Sequence, residues 1–315
     1  DALGDLTTGS ENVGVGWTAG GDITTARFCT AVGRQALRQN TTTEYLTAVG
    51  YSAMRSTTGV KNTAVGNSAL YTNAAGAENT AVGDNALYAN TTGEKNTAVG
   101  SGALDSVTDG YGNTALGFNA AAGLVTNTAR HNVAVGREAL SAQDRAEDNV
   151  AVGYDAMGNC NNASNSQNTA VGSNALPASG LAGYGNAAFG YNAGQAVTSG
   201  LHNVLIGRQA GNNITTGDEN ICMGYLARPS AVAGTGQVVI AYNLPGKGNS
   251  TGLFGGASGV YNEGNTTAWQ TTSDERIKKN ITDNNIGLEA INKIQVRNFE
   301  YRTEDEITEL PKESV

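Results

Sequence analysis

Charge, aromatic rings and proline are all scarce in this chain, and each scarcity closes off a class of protein. Of its 315 residues only 15% are charged, 6% are aromatic and 4 are proline. A two-domain globular protein is the ordinary expectation at this length, but bulky core residues are too few for one here. Basic residues are outnumbered 19 to 28 by acidic ones, which leaves a formal charge of -9 and no basic stripe. Such a surface repels phosphate, so nucleic acid and anionic membrane are poor partners. No apolar run approaches the roughly 18 residues that span a bilayer, so no membrane insertion is expected. The start lacks a signal-peptide pattern and begins at Asp1 without Met, which suits a fragment or a processed product.

Cysteine and histidine are scarcer still. Cys29, Cys160 and Cys222 cannot all pair within one chain, and their spacing offers neither a disulfide framework nor a metal site. Cys222 takes a small-residue position of a repeat described below, so a buried thiol is expected there. No cofactor is implied by any motif.

Glycine, by contrast, is abundant at 43 residues. It does not recur every third residue, which excludes collagen. It marks a longer period instead. The stretch Asn62-Thr63-Ala64-Val65-Gly66-Asn67-Ser68-Ala69-Leu70 returns almost unchanged at 79–87, 96–104, 132–140 and 168–176. Its central glycine recurs thirteen times from Gly16 to Gly224, at steps of 16 to 19 residues and most often 17, with a worn fourteenth copy at 237–241. Self-similarity at a fixed short period decides the fold class before anything else does. Strict Ala and Val positions argue for an ordered array rather than a disordered polar chain.

Constraint is uneven within the unit. All thirteen copies carry Ala three residues after the glycine, and eleven carry Asn four residues before it. Between these fixed points lie polar turn segments such as Asn90-Thr91-Thr92-Gly93. Asn62 to Gly66 alternates like a strand of about five residues, with Thr63 and Val65 on one face and Asn62, Ala64 and Gly66 on the other. Seventeen residues trace about 56 Å of extended chain, enough for one small coil of a parallel β-solenoid. Stacked coils sit about 4.8 Å apart, so the array is expected to form a rod on the order of 65 Å long. The repeated Asn is expected to bond from coil to coil as an amide ladder. A coil burying only Val, Ala and Leu offers little apolar area against its backbone entropy, so a homotrimer with a shared core is expected.

These motifs resemble the head repeats of trimeric autotransporter adhesins of the YadA type, which form a left-handed parallel β-roll. They are still more similar to the Asn-Thr-Ala-(Val/Ile)-Gly-x-x-Ala-Leu arrays of phage tail-fibre proteins. The resemblance spans residues 12 to about 244, and departs from the adhesin pattern in a unit nearer 17 residues than 14. Three segments are expected: a solenoid shaft over 1–244, a Gly-rich connector over 245–272 whose aromatics plug the rod end, and a different domain over 273–315. At Ser273 charge density more than triples, from 30 charged residues in 272 to 17 in 43. Leu288, Ile291 and Ile294 suit one helix face and Val296 to Arg302 alternates like a strand, giving a small α+β segment.

The stretch Thr272-Ser273-Asp274-Glu275-Arg276-Ile277-Lys278-Lys279-Asn280-Ile281 resembles the opening of the intramolecular chaperone domain of phage endosialidases, tail spikes and tail fibres. That resemblance implies a module that drives trimer assembly and then cuts itself off before the serine. Ser273 would be the nucleophile and Lys278 its base, with Arg276 and Lys279 lowering the lysine pKa. The bland reading makes Ser273 a domain start and Lys278 a surface charge.

Elsewhere the chain offers little chemistry. His131 and His202 fall at a variable turn position, where other copies have Lys61, Glu78 or Lys95. The longer loops 121–131, 141–148 and 157–167 are candidates for bulging from one edge, where solenoids bind partners. Phe118, Tyr154, Tyr184 and Tyr191 are open to two readings, glycan contact and packing between chains. The resemblances together imply a structural and adhesive phage tail-fibre rod in the virion, bound to other tail or virion proteins and to a host surface glycan or receptor. A trimeric adhesin on a bacterial surface is the alternative. A glycan-degrading tail spike needs paired carboxylates in a groove, and no acid pair breaks the repeat to supply them.

Overall fold

The structure, a computed structural model, describes residues 1–124, 129–142, 146–159, 165–177, 183–256, 260–262 and 270–271. The chain divides into two compact units, Asp1–Thr272 and Ser273–Val315. Every described residue lies in the first. Ser273, Lys278 and the helix and strand expected after them fall outside the described residues, as does Trp269.

The first unit is an all-β parallel solenoid. Each repeat contributes one short strand, beginning with Val13–Val15, Thr30–Val32 and Thr47–Val49 and continuing through Thr63–Val65 to Ile221–Met223 and Val238–Ala241. Neighbouring copies pair in parallel with repeat positions in register, so that Ala64 opposes Ala48 on one side and Ala81 on the other. The strands are three residues long rather than five, because the glycine that follows ends each one. Gly83 has φ +139°, and a Cβ built on it would lie 2.5 Å from the carbonyl oxygen of Gly100 in the next coil. Only glycine fits both that backbone and that approach.

Past the glycine the chain keeps its coil-to-coil bonding without extended backbone. In the repeat of Gly66, Ser68 (φ 53°) and Leu70 (φ 52°) are both left-handed, and Lys61 (φ 58°) precedes Asn62 in the same conformation. Left-handed residues turn the chain sharply, and they cost energy for a branched side chain such as Leu. The cost is offset coil by coil: Ser68 N–H donates to the Tyr51 carbonyl at 2.8 Å and Leu70 N–H to the Ala86 carbonyl at 2.8 Å.

The interior is closed within one chain. Ala64, Ala69 and Leu70 are fully buried, and so are most of their counterparts up and down the rod. Val65 is not among them: it stands half-buried on the outer face of the strand with Thr63, while Asn62 points inward. The expected interior of Val, Ala and Leu is thus corrected to Ala, Leu and Asn. Polar Asn is tolerated there because its amide is fully engaged. Asn79 N–H donates to Asn62 Oδ1 at 2.8 Å, Asn96 N–H to Asn79 Oδ1 at 2.9 Å, and Asn96 Nδ2 both to Asn79 Oδ1 at 3.2 Å and to the Gly110 carbonyl at 2.8 Å. The ladder continues to Gln237, whose N–H donates to Asn220 Oδ1 at 3.1 Å.

Both ends of the stack are covered by the chain itself. At the start Leu3 N–H donates to the Ala19 carbonyl at 2.9 Å, and its side chain packs on the core where Gly14 replaces the usual Ala. At the far end the connector adds a further parallel rung, Gly252–Gly255 on Val238–Ala241, followed by the antiparallel strand Val260–Asn262. Leu253 is buried, and Tyr261 packs against the core.

Candidate functional site

Three exterior features of the solenoid carry the candidate chemistry. The first is the outer face of the strands. Because alternate residues of a strand point to opposite sides, each coil that buries its central Ala turns two residues outward, Thr63 and Val65 in one and Val204 and Ile206 in another. Leu116 is 49% exposed and Phe189 40%, with Val15, Ile206, Met223 and Ile240 exposed along the same column. At about 4.8 Å per coil this apolar column runs on the order of 65 Å. An exposed apolar patch of such extent marks an interaction surface on a folded protein.

The second is the column formed by the residue after each strand glycine, which borders that face. In three stretches of it, 17–51, 118–154 and 191–225, an arginine stands between two aromatic rings, while Asn67, Asp84, Ser101 and Ser173 occupy other coils. The Arg34 guanidinium lies 4.8 Å from the Trp17 ring centre and 5.8 Å from that of Tyr51. Arg137 lies 5.7 Å from Phe118 and 5.8 Å from Tyr154, and Arg208 lies 5.7 Å from Tyr191 and 5.6 Å from Tyr225. Each guanidinium is a cation held between two electron-rich ring faces. Arg137 is also anchored by Glu138, whose carboxylate it meets at 3.0 Å.

The third lies on the turn edge, at the positions just before the ladder Asn. Lys95 Nζ donates to the Tyr111 hydroxyl at 2.7 Å, and that bond raises the lysine pKa above its ordinary value. The Tyr111 ring meets His131 edge-on at 5.7 Å, and His131 Nδ1 stands 3.3 Å from Asp148 Oδ1. A cavity of about 370 Å³ opens here, lined by Thr92, Glu94, Asp109, Tyr111, Arg130 and His131. Among the described residues no group of three or more His, Cys, Asp or Glu side chains stands where it would hold a metal ion. No described helix is long and apolar enough to cross a membrane.

Of the aromatics singled out from the sequence, Phe118, Tyr154 and Tyr191 share the second column. Tyr184 does not; it meets His202 edge-on at 5.0 Å in the turn column. Both histidines are left-handed turn residues, His131 at φ 52° and His202 at φ 54°. Residues 125–128, 143–145 and 160–164 of the longer loops lie outside the described residues. The alternation with Arg34, Arg137 and Arg208 is legible only when the residue after each glycine is read down the repeats rather than along the chain.

Both cysteines within the described residues are buried thiols. Cys29 replaces a ladder Asn and donates to the Thr43 carbonyl at 3.3 Å. Cys222 replaces a core Ala, and burial pushes its pKa up to about 12. Neither is a candidate nucleophile.

No family model, curated protein or solved structure matches this chain. The fold itself defines a single-chain parallel β-solenoid with a repeat of about 17 residues.

Proposed function

We propose that this chain is the shaft of a homotrimeric phage tail fibre, a rod that extends from the virion and presents its edges to a host surface glycan or receptor. The observation that carries this reading is the apolar outer face of the strands, which one chain leaves in contact with water along its whole length. Burying that face between three copies removes the exposure and yields a stiff fibre. The net charge of -9 per chain keeps fibres soluble and apart. The reading joins this surface to the sequence resemblance of the repeats to tail-fibre arrays, and gives the segment from Ser273 the role of a folding and trimerisation module. Ser273 and Lys278 then carry a single self-cleavage. Attack of the Ser273 hydroxyl on the preceding Thr272 carbonyl, with its proton passing to Lys278, would exchange the peptide bond for an ester on Ser273 Oγ, and water would then hydrolyse that ester to release the module.

Light scattering on the intact chain, followed by denaturing mass spectrometry of the same sample, tests both parts. A particle of three 32.1 kDa chains is the expected result, with a fragment beginning at Ser273. A monodisperse 32.1 kDa particle overturns the fibre. An uncut trimer leaves the fibre standing and removes the chemistry from Ser273 and Lys278.

A further inference from the structure

In the column that follows the strand glycines, Asn67, Asp84 and Ser101 interrupt the rings and guanidinium groups, but only Ser173 stands between two rings with no guanidinium to fill the space. Strand register pairs Val152 with Val171 and Val171 with Phe189, so Tyr154, Ser173 and Tyr191 follow one another up the rod. The backbone holds them in that order: Asn174 N–H donates to the Tyr154 carbonyl at 2.9 Å, and Asn192 N–H to the Ser173 carbonyl at 3.1 Å. Arg137 covers one face of Tyr154 and Arg208 covers one face of Tyr191. The other faces of the two rings are directed toward each other across the coil of Ser173. Two coil spacings, about 9.6 Å, separate them.

That separation is the one at which this same chain seats Arg34, Arg137 and Arg208. Ser173 is too short to reach between the rings, and its Oγ instead accepts a bond from Asn174 Nδ2 at 3.2 Å. Both rings are 48% exposed, so the slot opens to solvent. We propose that the slot over Ser173, walled by Tyr154 and Tyr191, binds the guanidinium group of an arginine side chain on a partner polypeptide. A flat cation gains on both faces from the ring quadrupoles, as the chain's own arginines do. A lysine ammonium cannot lie flat against two rings in this way. The acidic surface, with 28 carboxylate residues against 19 basic ones, favours a cationic visitor over an anionic one.

The test uses N-acetyl-arginine amide and the intact chain, with ligand-observed saturation-transfer NMR suited to weak binding on a large particle. The arginine probe is expected to receive saturation from the wild-type rod. Ser173→Arg, which fills the slot from within, and Tyr154→Ala are each expected to weaken that binding about fivefold or more. N-acetyl-lysine amide and methyl glucoside are expected to bind more weakly than the arginine probe. Ser173→Arg places a residue that the same column accepts in three other coils, so it is expected to fold and to unfold at a higher temperature than Ser173→Gln. Equal saturation of the arginine probe by wild type and Ser173→Arg overturns the site. Preferential binding of the glucoside, lost in Tyr154→Ala, overturns the guanidinium in favour of a saccharide.

Discussion

Leu205 occupies the interior space that Gly211 leaves free: a Cβ built on Gly211 would lie 2.5 Å from Leu205 Cδ2. In most coils the arrangement is reversed, with Ala in the strand and Leu after the turn, as in the pair Ala64 and Leu70. Interior volume is therefore conserved coil by coil while its source along the chain changes. Gly211→Leu is expected to destabilise by about 1–3 kcal/mol or more through overpacking, and Leu205→Ala by about 2–5 kcal/mol through a cavity. The double variant Leu205→Ala, Gly211→Leu restores the commoner coil, and is expected to recover at least about 1 kcal/mol relative to the sum of the single losses. Guanidinium unfolding midpoints of the four proteins measure this, and strict additivity would refute the exchange of volume.

A second interior column is polar for part of its length and then stops. Asn73 Nδ2 donates to Thr57 Oγ1 at 3.1 Å and Asn90 Nδ2 to Asn73 Oδ1 at 2.8 Å, but the next coil supplies Val107, and Asn90 Oδ1 is buried without a partner. Val107→Thr keeps the volume and offers a hydroxyl hydrogen to that oxygen. Val197→Thr makes the same change where no interior amide stands in line with it among the described residues. Thr at 107 is expected to be better tolerated than Thr at 197 by about 1 kcal/mol, read as the difference between their unfolding midpoints.

Cys222 links stability to alkaline pH. Its folded pKa of about 12 lies above the ordinary thiol value of 9.0 because burial disfavours the thiolate. Between those values the unfolded chain gives up its proton and the folded chain does not. Stability is therefore complete below pH 9 and falls by about 1.4 kcal/mol per pH unit above it. Cys222→Ala is expected to remove that contribution and leave the part due to Cys29, whose thiol burial also pushes up. In a Cys160→Ser background neither remaining thiol is expected to react with a maleimide at pH 8 until denaturant is added; rapid labelling of the native rod would count against the burial.

The period, the strand, the amide ladder and the buried Cys222 were all legible in the sequence, because each depends on a residue type repeated at a fixed step. Which strand face turns inward was not. Thr-Ala-Val alternates equally well either way up, and the small Ala rather than the larger Val goes inside because the coil is too narrow for a branched side chain beside Leu70. The extra rung at Gly252–Gly255 was hidden as well, since its Leu253 sits between glycines that read as a linker. The ring and guanidinium column escaped notice because its members are about 17 residues apart, and no local pattern joins them.

Asp155 sits at φ 52°, in a column where Asn85, Asn119, Asn174 and Asn192 adopt the same left-handed backbone. Its carboxyl pKa is raised, first by burial and then by the Glu138 carboxylate one coil away. A raised carboxyl favours the protonated folded form, so stability falls as pH rises from the ordinary value of 3.8 through the folded value. Asp155→Asn removes the charge and keeps the shape. It is expected to stabilise the rod at pH 7 by less than about 1 kcal/mol, since the group is only part-buried and solvent screens it, and to lose most of that advantage at pH 3. A melting series across that range decides it.

The outer strand face makes the assembly testable without touching the interior. Val82 and Ile206 stand on that face, Val82 three repeats past the coil of Cys29 and Ile206 beside Met223, and neither contributes to the enclosed core. Replacing either with Glu leaves the single-chain coil intact, so each variant is expected to keep its β signal and to change intrinsic stability by no more than about 0.5 kcal/mol. In the proposed trimer the same carboxylate would be buried without a partner, at a cost of several kcal/mol. Light scattering is therefore expected to show a threefold fall in mass for Val82→Glu with Ile206→Glu combined, to that of a single 32.1 kDa chain. A double variant that keeps the wild-type mass would place the contacts between copies elsewhere, on the turn edge rather than on the strands.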